Sequence, residues 1–126
     1  MGLCVYTVAD SAAELELNAL LGSVRVLPEG SSLTILDLGL SKRFLSRLQR
    51  WKNGQLIEID VIQVDPEQFS KCYPSRSKSS VNWAKLAGPR ILEFKSDRIL
   101  YVDADCVFYA DPTDALAVDL LNMPFG

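Results

Sequence analysis

The sequence predicts an α/β domain, an open and mostly parallel sheet with flanking helices. Two observations predict it. Short apolar runs of the length of buried strands alternate along the chain with segments whose apolar residues recur at helical spacing. That alternation requires right-handed crossovers, and so a mostly parallel sheet.

Taken in order, residues 3–8 read as a short buried strand. Ser11 then opens a helix, with Glu14 completing a capping box. Ala13, Leu17, Leu20, Leu21, Val24 and Leu27 form one helical stripe, ended by Pro28-Glu29-Gly30. Residues 33–38 are the second strand, and Gly39 supplies a turn. Ser41 starts a second helix whose Phe44, Leu45, Leu48 and Trp51 face inward, and Asn53-Gly54 stops it. Residues 56–64 are β-branched and partly alternating, a third strand. The polar stretch 65–80 reads as a loop or lid, and 80–95 as helical. Pro89 within that segment lacks a backbone donor and disfavours helix at Gly88, so a kink or restart is expected there. Residues 98–102 form the fourth strand, and 114–121 a short helix after Asp111-Pro112. The first and fourth strands read as adjacent, central and buried on two faces.

With 126 residues the chain fits one domain with a real core. Its 48% hydrophobic and 23% charged residues match a soluble globular protein. A net charge of −3 with scattered basic residues argues against non-specific nucleic-acid binding, which needs a concentrated positive face. No apolar run approaches the roughly 20 residues of a membrane span. No basic start precedes a long apolar stretch, so a cytoplasmic location is expected. Cys4, Cys72 and Cys106 form no C-x-x-C and read as reduced thiols. Cys106 reads as a small buried residue rather than a soft metal ligand.

The chemistry concentrates at Asp103-Ala104-Asp105, directly after the apolar run Ile99-Leu100-Tyr101-Val102. Ligands of open parallel sheets bind at the carboxyl ends of strands. Strand alternation would turn both carboxylates to one side, where they repel unless a cation lies between them. Hard divalent ions such as Mn²⁺ and Mg²⁺ prefer carboxylate oxygens and bridge to phosphates. Asp103 and Asp105 are therefore candidate metal ligands in a metal–diphosphate site. No G-x-G-x-x-G follows the first strand, and there is no P-loop.

Leu100-Tyr101-Val102-Asp103-Ala104-Asp105-Cys106-Val107, followed by Asp111-Pro112, resembles the D-x-D block of nucleotide-sugar glycosyltransferases with the GT-A fold, in particular the glycogenin and galactinol-synthase-like family 8. Tyr6-Thr7-Val8-Ala9-Asp10 resembles that family's first strand and its nucleotide-binding end. Residues 35–41 resemble the second strand and turn, and Trp83-Ala84-Lys85-Leu86 the segment with a phosphate-binding lysine. The likeness runs from about Leu3 to Pro112 and covers only the N-terminal, nucleotide-binding half of the family's longer catalytic domain. It implies a strand order of 3-2-1-4. It also implies nucleotide-sugar binding by Thr7, Ala9, Asp10, Lys85, Asp103, Ala104 and Asp105, with a UDP-sugar donor, an unspecified acceptor and Mn²⁺ or Mg²⁺. Asp105 would hold the cation directly, and Asp103 the cation or a ribose hydroxyl. Transfer with retention of configuration is implied too. In similar transferases a histidine of the C-terminal half is a further metal ligand, and this chain has no histidine. The expectation is a half-domain that is incomplete or inactive alone, completed by another segment or self-associating through Leu116, Val118, Leu120, Leu121, Met123 and Phe125.

Other readings stand beside this one. Asp10 and Ser11 suffice as a helix cap, and Lys85 as a solvated helix lysine. Lys71, Arg76 and Lys78 around Tyr73 and Pro74 read either as a basic lid or as a plain soluble loop. Trp51 reads as core, while Trp83 is open to either role. The whole chain is alternatively a non-catalytic α/β interaction domain or a degenerate nucleotide-binding one. A D-x-D after an apolar strand also marks haloacid-dehalogenase-like phosphatases, but there the catalytic domain follows the motif, and Cys106-Val107 replaces the usual Gly-Thr.

Overall fold

Strands β1 (Cys4–Ala9) and β2 (Ser32–Asp37) are buried at every position, as befits strands of a parallel sheet covered on both faces. The computed structural model to which they belong describes residues 2–65, 80–92 and 99–113. With β3 (Glu58–Gln63) and β4 (Ile99–Tyr101) they form a four-stranded sheet of order β3-β2-β1-β4 in which every pair is parallel. Helices α1 (Glu14–Ser23), α2 (Lys42–Lys52) and α3 (Ser80–Ile91) cover it. Leu17, Leu20, Phe44 and Leu48 pack with Val5, Leu33 and Ile35 on one face. Ala84 and Leu92 pack with Tyr6, Val8 and Leu36 on the other. Alternate side chains of β1 and β2 thus feed opposite cores, as the pleat dictates. Among the described residues no helix is long and apolar enough to cross a membrane.

β4 is adjacent to β1 as expected, but its residues are only half-buried and it is an edge strand among the described residues. β3 starts later than expected. Leu56 is 96% exposed in the connection, and Ile57 is the residue that anchors it in the core.

The helix starts show which local signals win. Ser41 caps α2 as expected, its hydroxyl accepting from the Phe44 amide at 3.1 Å. The capping box at Ser11 and Glu14 does not form. Asp10 takes the cap instead, its carboxylate accepting from the Ala12 amide at 3.0 Å ahead of a 3-10 turn over Ser11–Ala13. Glu14 accepts from the Ser41 amide at 2.7 Å and the Ser41 hydroxyl at 2.9 Å. A carboxylate that a local pattern assigns to its own helix therefore ties α1 to the start of α2. After β2, Asp37 accepts from the Gly39 and Leu40 amides at 2.8 and 2.7 Å, while Gly39 adopts a φ of 138°.

Proline 89 lies inside α3, and the helix continues through it to Ile91 without the expected restart. Its missing N–H leaves the Lys85 carbonyl, one turn back, without its regular intrahelical donor. The Tyr6 hydroxyl of β1 donates to that carbonyl at 2.7 Å. Gly88 makes the approach sterically possible, since a Cβ there would lie 2.2 Å from Tyr6 Cε2.

The loop at 65–80 lies outside the described residues except at its ends. So do Lys71, Cys72, Tyr73, Pro74, Arg76, Lys78, the ring of Trp83, and the apolar set from Leu116 to Phe125.

Candidate functional site

β1 pairs with β2 through Ala9, but with β4 only as far as Tyr6. The Val102 amide still donates to the Tyr6 carbonyl at 3.0 Å, and the chain then leaves the sheet. β2 and β4 lie on opposite sides of β1, so successive connections diverge at this end, the arrangement that opens a ligand crevice in parallel sheets. A cleft of about 430 Å³ lies there. Ala9, Asp10 and Glu16, Lys85 of α3, Tyr101, and Asp103, Ala104 and Asp105 line it.

The acidic pair sits on a turn rather than on the strand. β4 ends at Tyr101, and the Cys106 amide donates to the Asp103 carbonyl at 3.0 Å. Ala104, only 9% exposed, packs into the α1–α2 core, while Asp103, Asp105 and Cys106 are exposed. One ligand atom from each of those three lies within 4.8 Å of the others. The carboxylates therefore converge through the turn, not through the pleat. Cys106 corrects the expectation of a buried thiol, because the inward position of the turn is already filled by Ala104. Two carboxylate oxygens so placed fit a hard divalent ion, and a neighbouring thiol is a softer donor that such an ion does not need. The turn is also tied to α1, since the Phe108 amide donates to the Ser23 hydroxyl at 3.0 Å.

Asp103 is held from two sides. The Lys85 ammonium lies 3.1 Å from its Oδ1, and the Tyr101 hydroxyl donates to the same oxygen at 2.6 Å. The Lys85 nitrogen also sits 5.3 Å from the centre of the Tyr101 ring, within cation–π range. The hydrogen bond from Tyr101, then that from Lys85, holds the Asp103 carboxyl below the usual carboxylate range. Burial, and after it the bond to Asp103, pushes the Tyr101 phenol far up. The tyrosine is therefore a donor at any ordinary pH, and the aspartate an anion. Tyr6 packs against Tyr101 with ring centres 5.1 Å apart, and burial raises its phenol as well.

Of the residues singled out in the sequence, Ala9, Asp10, Lys85, Asp103, Ala104 and Asp105 meet at this cleft. Thr7 does not reach it. It is fully buried one layer below, and its hydroxyl has no hydrogen-bond partner among the described residues. Asp10 lines the cleft and caps the 3-10 turn at once, so the two readings of it are compatible. Sequence reasoning missed Glu16, Tyr101 and Tyr6. Tyr101 carried a signal, being the hydroxyl-bearing residue two positions before the first aspartate. Trp51 packs against the α1–α2 core, as expected.

No family model matches the chain, and no curated protein matches it in sequence. Solved structures share its fold. The bifunctional glycosyltransferase WbbM superposes with a TM-score of 0.74 at 20% identity, over 94% of this chain and 21% of that one. The galactosyltransferase LgtC, solved with donor and acceptor sugar analogues, gives 0.60 at 23% identity, over 95% and 43%. The glycosyltransferase GlyE of Streptococcus pneumoniae TIGR4 gives 0.64 at 18% identity, over 95% and 28%. The fold is thus the open, Rossmann-like GT-A sheet with flanking helices. The chain spans less than half the length of each of these proteins.

Proposed function

We propose that this chain is the donor-binding part of a metal-dependent glycosyltransferase acting on a nucleoside-diphosphate sugar, with UDP as the nucleotide. The observation that carries the reading is the meeting of Asp103, Asp105 and Lys85 in one cleft at the carboxyl end of β1, which Asp10 also lines. Two carboxylates and an ammonium are the complement of a cation bound to a diphosphate.

Asp105 and Asp103 would hold the ion, Mn²⁺ or Mg²⁺, which when bound supplies Lewis-acid charge to the diphosphate leaving group. Lys85 binds the diphosphate oxygens and offsets the charge that develops as the glycosyl bond breaks. Tyr101 keeps Asp103 oriented and ionised. Ala9 and Asp10, at the end of β1, accept the base and ribose. The acceptor site would be built by residues other than those of this donor cleft.

Calorimetry with UDP, with and without Mn²⁺, tests the reading. UDP binds more tightly with the ion present, because its phosphates and the carboxylates share the coordination shell. Asp105→Asn abolishes the ion-dependent part. If the substitution leaves Mn²⁺-linked UDP binding unchanged, the acidic pair is not the metal site.

A further inference from the structure

We propose that Tyr6 is a positioning residue for Lys85, its hydroxyl standing in for the backbone amide that Pro89 lacks. Three observations converge on one atom. Pro89 cannot donate to the carbonyl of residue 85, the acceptor its place in α3 assigns to it. The Tyr6 hydroxyl donates to that carbonyl at 2.7 Å. Gly88 has no side chain where one would strike Tyr6, at 2.2 Å from Cε2 and 2.8 Å from the hydroxyl oxygen.

The consequence for the site follows from where each partner is fixed. Tyr6 is 3% exposed, in the strand whose end forms the cleft. It contacts Tyr101, whose ring lies under the Lys85 ammonium and whose hydroxyl meets the same Asp103 oxygen as that ammonium. Lys85 is thereby held at both ends, its carbonyl by Tyr6 and its nitrogen by Tyr101 and Asp103. A lysine carries large rotamer freedom, and fixing its backbone lowers the cost of aiming the ammonium. The Gly88-Pro89 pair, which as sequence predicts a kink or restart in the helix, is what frees the carbonyl and admits the tyrosine. The phosphate-binding role of Lys85 rests on the function proposed above. The positioning itself does not.

The test is a set of variants in the full chain: Tyr6→Phe, Pro89→Ala, Lys85→Met and the pairs Tyr6→Phe/Pro89→Ala and Tyr6→Phe/Lys85→Met. UDP affinity is measured by calorimetry with Mn²⁺ present. Tyr6→Phe weakens UDP about fivefold, the scale of one ordinary hydrogen bond. Adding Pro89→Ala restores affinity to within about twofold, because an alanine at 89 supplies the intrahelical donor. In the Lys85→Met background Tyr6→Phe costs nothing further. An equal loss in both backgrounds, or no rescue by Pro89→Ala, overturns the proposal.

A readout without ligand separates it from the functional reading. Acetylation of Lys85 is followed by mass spectrometry relative to the exposed Lys42. The ratio rises in Tyr6→Phe, returns in Tyr6→Phe/Pro89→Ala, and is unchanged in Pro89→Ala alone. If UDP does not bind the wild-type chain but the acetylation pattern holds, the site reading falls and the positioning stands. An acetylation ratio indifferent to Tyr6→Phe defeats the positioning whatever UDP does.

Discussion

Replacing Gly88 by alanine should destabilise the protein, against the ordinary preference of helices. On propensity alone the change favours the helix by about 1 kcal/mol. The new Cβ, however, would lie 2.2 Å from Tyr6 Cε2 and 2.5 Å from Cζ. Ordinary contact needs about 3.5 Å, so the ring must retreat by roughly 1 Å. It has little room to do so, being 3% exposed, packed on Tyr101 and hydrogen-bonded to Lys85. Overpacking costs about 1–3 kcal/mol, and loss of the hydroxyl contact about 1 more. After the gain in propensity, the net loss is about 1–3 kcal/mol, a fall of roughly 4–10 °C in Tm for a chain of this size. Gly22→Ala in α1 is the control, because nothing lies within 4 Å of its added Cβ. That variant should gain about 0.5–1 kcal/mol. Thermal and urea unfolding of both variants reads the contrast. If both move stability in the same direction, the close approach of Tyr6 to Gly88 is not what limits residue 88.

Three other perturbations have expected outcomes. Thr7→Val should stabilise the chain by about 1 kcal/mol in urea titration, because it removes a buried hydroxyl that has no partner among the described residues; a loss would reveal a partner. Glu14→Ala should cost about 1–3 kcal/mol by the same assay, since it strands the Ser41 amide and hydroxyl, whereas a capping role local to α1 predicts a smaller loss that Ser41→Ala does not share. The lowered Asp103 pKa means that its pairing contributes stability above the ordinary carboxyl value of 3.8, and that this contribution is lost as pH falls through the lower folded value. The stability gap between wild type and Tyr101→Phe should therefore narrow on acidification below that value, and a gap that is flat with pH would remove Asp103 from the account.

The architecture was legible where burial is simple. Residues 3–8 and 33–38 are predominantly apolar, and both became strands within a residue of the expected limits. Ser41 caps α2 as its local pattern predicts, its hydroxyl accepting from the Phe44 amide. The strand order came from family likeness, not from periodicity, and the sheet has it. Illegible features are those in which a side chain prefers a distant partner to a near one. Glu14 leaves its own helix for Ser41, and Tyr6 repairs a defect in a helix far along the chain. The acidic pair illustrates a subtler miss. Its two carboxylates were expected together and are together, but a buried Ala104 and a turn bring them so, which also puts Cys106 outside. A period of two cannot register where a strand stops.

The long span of the Tyr6–Lys85 contact has a kinetic consequence. Glu14 and Ser41 are 27 residues apart, whereas Tyr6 and Lys85 are 79 apart, and Ser23 and Phe108 are 85 apart. Closing the longer loops costs about 1 kcal/mol more in chain entropy, and the body of β1, α1, β2 and α2 can form before either closes. On this account the cleft should assemble late, by the arrival of α3 and the turn after β4 on β1 and β2 already paired, and by the same order it should open early. Exchange of the amides of β4 and of residues 102–106 should run ahead of those of β1 and β2 under native conditions. The part of the molecule that offers charge to a ligand would then be a separate cooperative unit, and a ligand bridging Lys85 to Asp105 would close it as it binds.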